Sequence, residues 1–169
     1  MVAVCAYLQN VKGNIEMKQN QGFGKIETVQ HYWRKLNWEY ENLKSDPDNT
    51  YLAFNFAITA YHLIDWVAPK PIGTQNPDQA IIKNNIGYLK VCEQLANGAK
   101  HFEIDKKRHN SVESLESDGY VEDDYVEDGY FEQPIIITLA DQSKVKILDF
   151  AQTLMIDWEK ELKNRGKIK

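Results

Sequence analysis

Thr50-Tyr-Leu-Ala-Phe-Asn-Phe-Ala-Ile-Thr-Ala-Tyr-His-Leu-Ile-Asp-Trp-Val67 is the stretch on which the fold turns. Its bulky apolar residues, Leu52, Phe54, Phe56, Ile58, Leu63, Ile64, Trp66 and Val67, stand nearly all round a 3.6-residue spiral. A helix without a clear solvated stripe belongs in the middle of a bundle. Its ends are marked as well. Asp48 or Asn49 supplies the short side-chain oxygen that accepts an orphan backbone N–H, and Pro69 and Pro71 bring the helix to a stop. Asn55, Thr59, His62 and Asp65 interrupt the apolar run, so it falls short of the roughly 18 uninterrupted apolar residues of a membrane span.

Upstream, Ile26, Val29, Trp33, Leu36, Tyr40 and Leu43 recur at steps of three and four, which predicts an amphipathic helix over about 26–43. Ser45 to Thr50 is a turn. Residues 1–25 read as an arm, with a short strand at Val2 to Leu8 and a polar stretch from Gln9 to Gly24. Downstream, Asn76-Pro77-Asp78 opens a third helix, with Asn as cap and Pro at the first position. Ile82, Ile86, Leu89, Cys92 and Leu95 form its core stripe. Asn97-Gly98 is either a left-handed cap or an internal weak point in a helix that runs on to His101; we take the second. Ile135 to Leu139 is a strand by its β-branching, Asp141-Gln142-Ser143 a turn, and Lys144 to Leu148 a second, alternating strand. Ile135, Ile137 and Leu139 share one face, with Val145 and Ile147 as expected partners. Asp149 then caps a last helix built on Phe150, Leu154, Met155, Trp158 and Leu162. The fold class is mostly α. It is a bundle of about four main helices with one β-hairpin, in a single domain over 26–169 that carries an acidic insertion at 111–133.

The 169 residues are 43% hydrophobic and 11% aromatic, too rich in apolar side chains for a disordered chain. Met1 to Leu8 lacks the positive charge and apolar length of a secretory signal. Cys5 and Cys92 stand alone, without CxxC spacing, which argues against a disulfide framework or a zinc site and suggests free thiols in a cytoplasmic protein. The net charge of −5 conceals an asymmetry. Glu113 to Glu132 contain nine acidic side chains and no Lys or Arg, so the rest of the chain carries a net +4. Within that stretch a unit recurs: Gly119-Tyr-Val-Glu-Asp, Asp124-Tyr-Val-Glu-Asp, Gly129-Tyr-Phe-Glu-Gln.

The polar interruptions are the candidate chemistry. Asn55, Thr59 and His62 fall at i, i+4 and i+7, and Asp65 follows His62 by three, within reach of the same side. Glu93, Asn97, Lys100 and His101 make a second polar set late in the third helix. One reading is that these groups bond across the bundle or to buried water and only specify packing, since buried polar groups are normally satisfied. The other is that the face opens on a cleft, with His62, Asp65, Asn97, Lys100 and His101 as an acid–base set. A carboxylate beside a His orients the ring and favours its charged form. On that reading His62 and Asp65 face the third helix, near Asn97 and His101. His62 and Asp65 are only two ligands, with no His-x-x-x-His or Glu-x-x-His pair to complete a metal site, so no metal or other cofactor is expected. No Gly-x-Ser-x-Gly elbow occurs, and Gly22-Phe-Gly24 lacks the rest of a phosphate-binding loop.

Tyr61-His62-Leu63-Ile64-Asp65-Trp66 and Leu95-Ala96-Asn97-Gly98-Ala99-Lys100-His101-Phe102 resemble a pattern of uncharacterised bacterial and phage helical proteins. These carry His-x-x-Asp-Trp and then Asn-Gly-x-Lys-His on successive helices, followed by a hairpin and a final helix with an internal Trp. The resemblance covers residues 48–165 and implies the architecture above. The chain also bears an analogy to the HEPN class of helical bundles, many of which are ribonucleases. It departs from their mark of Arg, four to six residues, then His: Arg34 has no His at that spacing, and Arg108 directly precedes His109.

Two functions are therefore expected as rivals. One is a non-enzymatic interaction factor of phage–host conflict, an inhibitor or defence-associated protein. Its Tyr120, Glu122, Asp123, Asp124, Tyr125, Glu127, Asp128 and Tyr130 would occupy a basic protein surface, carboxylates standing in for phosphates and tyrosines supplying anchors. Against it stands the reading of this segment as a solvated loop. The other function is a HEPN-like enzyme acting on RNA through His62, Asp65, Asn97, Lys100 and His101. No membrane partner is expected on either.

Overall fold

A computed structural model of the chain describes residues 24–71, 73–100, 110–117 and 135–169. Five helices and three strands follow in the order α1 (Val29–Ser45), α2 (Thr50–Val67), α3 (Pro77–Asn85), α4 (Leu89–Lys100), β1 (Val112–Ser117), β2 (Ile135–Leu139), β3 (Lys144–Lys146) and α5 (Ile147–Asn164). The fold is mostly α, with a small antiparallel sheet.

The local signals explain most boundaries. Thr28 caps α1 by accepting the His31 N–H, so the helix starts at Val29 and leaves Ile26 outside it. Asn49 caps α2 by accepting from the Tyr51 and Leu52 N–H groups. Asn76 caps α3 through the Asp78 N–H, with Pro77 in the first turn. α5 ends in a Schellman motif. Gly166 lies at φ 63°, its N–H donates to Lys163 O, and the Lys167 N–H donates to Leu162 O.

Three expectations need correction. The helix expected from Asn76 onward is two helices. Ile86 takes an extended conformation, φ −111° and ψ 107°, and the chain turns through Gly87 and Tyr88 before α4 begins. The turn docks on α5, where the Gly87 N–H donates to Asp157 Oδ2 at 3.2 Å and the Tyr88 ring meets Phe150 at 5.2 Å. Asn97 and Gly98 then lie inside α4, which continues to Lys100. Secondly, the hairpin is two strands of a three-stranded sheet of order β1-β2-β3. Its first strand occupies residues assigned to the acidic insertion. Thirdly, α5 starts at Ile147, two residues ahead of Asp149. Asp149 sits in the first turn, where its charge favours the positive end of the helix, while the cap position Lys146 makes no side-chain bond. Ile147 is therefore a helical core residue rather than a strand partner.

The register places Leu115 opposite Ile137 and Ile137 opposite Val145. Ile135 and Ile137 are buried, and they carry the sheet onto the helices. The Gln94 side chain ties α4 to the same sheet. Its Oε1 accepts from the Ser111 and Val112 N–H groups at 2.6 and 2.8 Å, and its Nε2 donates to Val112 O at 2.7 Å. A side-chain amide thus replaces a peptide group at the start of β1.

One cluster joins all five helices to β2: Leu36 and Leu43 of α1; Phe56, Leu63 and Ile64 of α2; Ile82 of α3; Leu89 and Cys92 of α4; Ile137; and Phe150, Leu154, Trp158 and Leu162 of α5. Burial pushes the Cys92 thiol pKa up, as suits a small core residue. α2 buries eight residues but is not enclosed, because Tyr51, Asn55, His62 and Asp65 reach the surface. Asn55, His62 and Asp65 mark its solvated side, while Thr59 is buried.

Candidate functional site

On α2, Asn55 is exposed, whereas Thr59, 2% exposed, turns inward toward α1. Lys35 Nζ donates to Thr59 Oγ1 at 2.6 Å and to the buried Glu39 Oε1 at 2.7 Å. Thr59 is therefore part of an α1–α2 packing contact, and the polar residues of α2 divide between that interface and the surface.

His62 and Asp65 stay together. Nδ1 of His62 lies 3.2 Å from Asp65 Oδ2, with the two side chains 48% and 46% exposed. The other carboxylate oxygen, Oδ1, accepts from Gln79 Nε2 at 3.0 Å. Gln79 is buried and also donates from Nε2 to Ala68 O at 2.9 Å. Both partners of that amide nitrogen are acceptors, which fixes the orientation of the amide. The bond from His62 holds the Asp65 carboxyl below the usual carboxylate range, with Gln79 and the cation of Lys70 acting in the same direction against partial burial.

Next to this pair, α2, α3 and α4 meet in a second polar cluster. The Tyr61 hydroxyl donates to Glu93 Oε1 at 3.0 Å, Lys83 Nζ reaches the same oxygen at 2.8 Å, and Lys83 lies 5.4 Å from the Tyr61 ring centre. Burial, with Glu93 and Asp65 nearby, raises the Tyr61 phenol pKa, so it serves as a neutral donor. From α1, Tyr32 stacks on Trp66 at 5.0 Å. Its phenol is pushed up to about 12, by burial first and then by Asp65 and Glu39.

Of the expected acid–base set, His62 and Asp65 are thus adjacent. Asn97 and Lys100 stand on α4, the first lying one turn beyond Glu93 and the second almost two, and Lys100 is exposed. His101 lies outside the described residues, as do residues 1–23 of the arm and every residue from Tyr120 to Tyr130 of the expected partner surface. Among the described residues no group of three His, Cys, Asp or Glu side chains is placed to hold a metal ion. No described helix is long and apolar enough to cross a membrane.

Gln79, Tyr61 and Lys83 were not singled out from sequence. Gln79 alone carried a usable signal, as a polar residue one turn before Ile82 on the core side of a capped helix. Comparison with family models, with curated proteins and with solved structures returns no match for this chain.

Proposed function

We propose that this protein is a non-enzymatic interaction factor that presents its acidic, tyrosine-rich segment to a basic surface on another protein. The observation that carries the reading is the tether. Ser117 at the end of β1 pairs with Ile135 at the start of β2. Paired antiparallel residues lie about 5 Å apart, so the two residues that flank 118–134 stand side by side in the sheet. Seven carboxylates fall in that stretch, and the exposed Glu113 and Glu116 on β1 extend the charge into the sheet. Carboxylates at this density offer a basic groove what phosphates would, and tyrosines add contact area at low entropy cost. The setting we infer is phage–host conflict, in which such a segment inhibits a nucleic-acid-binding partner. The test is capture of partners from host lysate by the full chain and by a chain with 118–134 replaced by a short turn, at low and high salt. Capture that needs the segment and weakens with salt supports the reading. Capture indifferent to both removes it.

A second reading, an enzyme acting on RNA, is favoured by one specific observation. Asp65 is held at both oxygens beside a half-exposed His62, the arrangement that suits a base able to take a proton from a hydroxyl. Lys100 and His101 would then offset charge at the phosphate, and Asn97 would orient it. A ribonuclease assay of the wild type beside His62→Ala decides this reading, because activity abolished by that exposed substitution requires it.

A further inference from the structure

We propose that Gln79 is the positioning residue of a proton-transfer site: acting through Asp65, it fixes neutral His62 as the Nδ1–H tautomer and leaves Nε2 as the nitrogen that accepts a proton from a substrate hydroxyl. The inference rests on the second reading for the use of the base, and on geometry alone for the state of the ring.

The chain of bonds runs from buried to exposed. Ala68 O, just past the end of α2, and Asp65 Oδ1 both accept from Gln79 Nε2, at 2.9 and 3.0 Å. Gln79 is 7% exposed, so this donor is shielded from competing water. Gln79 thus holds the carboxylate at Oδ1, and the other oxygen, Oδ2, lies 3.2 Å from Nδ1. A carboxylate only accepts, so the neutral ring must place its hydrogen on Nδ1 to make this bond. The proton-free nitrogen is then Nε2, on a side chain 48% exposed. When Nε2 takes a proton, the imidazolium keeps the Asp65 bond and gains its charge. An unsupported surface pair at i, i+3 would lack this fixity, because an exposed carboxylate exchanges partners with water. The other ionisable groups around the pair are Tyr61 beside the ring at 5.2 Å, Tyr32 from α1, and Lys70 after α2. Both phenols are uncharged at neutral pH, as any tyrosine is, and burial only reinforces this, so Lys70 is the charge that adds to Asp65.

The experiment is nitrogen NMR of the histidine rings in the full chain, recorded where the ring is neutral. Wild type is expected to show His62 predominantly as Nδ1–H. Asp65→Ala should revert it to the Nε2–H form that free histidine favours, and Gln79→Met, of similar length but without donors, should shift the ring part of the way. Because Gln79 is buried, a second readout uses wild type alone: the Gln79 side-chain amide protons should move as Asp65 is titrated with acid. Wild-type His62 in the Nε2–H form overturns the proposal. So does a folded Gln79→Met chain with an unchanged tautomer, or a Gln79 amide that ignores the Asp65 titration. A tautomer as expected together with no ribonuclease activity leaves the positioning intact and removes the RNA reading, so the two failures are distinguishable.

Discussion

Replacing residues 118–134 with a four-residue turn should stabilise the protein by about 1.3 kcal/mol, because the cost of closing a loop grows as (3/2)RT ln n. The seventeen residues lie between Ser117 and Ile135, which are already paired, so shortening the connection removes closure entropy without moving either strand. Removing seven carboxylates also relieves self-repulsion. For a chain of this size the gain corresponds to a melting temperature higher by about 4 °C. The opposite outcome is equally readable. Tyr120, Val121, Tyr125, Val126, Tyr130 and Phe131 fall in the deleted stretch. Fully burying a large apolar side chain is worth about 1.5–3 kcal/mol, so two of them packed on the fold would outweigh the entropic gain. Urea denaturation followed by far-UV circular dichroism measures the difference directly. A loss of about 2 kcal/mol or more, or failure to fold, would refute the reasoning that the fold holds without these residues.

Three further outcomes follow from the described contacts. Glu161→Ala should cost about 2–3 kcal/mol in the same assay, since Arg165 Nε at 2.6 Å and Asn85 Nδ2 at 3.1 Å lose the acceptor that joins α5 to α3; a change within about 0.5 kcal/mol, the scatter of surface substitutions, would contradict it. The folded pKa of Asp65 lies below its unfolded value of about 3.9, so its contribution is complete above that pH and is lost as pH falls through the folded value. Wild type should therefore melt above Asp65→Asn near neutral pH, with the gap closing below about pH 4; a gap that widens in acid has the wrong sign. Gln94→Ala should speed hydrogen exchange at Ser111 and Val112, whose N–H groups it accepts, while leaving the β2–β3 pairing protected.

The helices were legible where capping chemistry and apolar spacing agreed. Asn49 ahead of α2 and Asn76-Pro77 ahead of α3 marked their starts, and Ile135 to Leu139 declared a strand by composition. The break at Ile86 was hidden because Ile82, Ile86, Leu89, Cys92 and Leu95 keep helical steps of three and four across it, and all five are buried on both sides of the turn. Gly87 was the only local hint, and its hydrogen bond to Asp157 lies 70 residues away in sequence. β1 was missed because Val112 and Leu115 are its only large apolar residues among charged and small polar ones. Its pairing with β2 and the Gln94 amide specify it from outside. The His62–Asp65 pair was readable as a local i, i+3 contact. Gln79 was not, because one amide leaves no periodic trace and its role appears only once α3 lies against the end of α2.

The central claim is that the acidic segment, rather than the helical body, makes the partner contact. Competition tests it most directly: a synthetic peptide of residues 111–133 is titrated into the complex between the full chain and its captured partner, beside a peptide of the same composition in scrambled order. The account predicts that the native peptide releases the partner, and that the scrambled peptide, with equal charge but the Tyr-Val-Glu-Asp repeats broken, releases it far less. Retention of the partner at saturating native peptide, or equal release by both peptides, would contradict it.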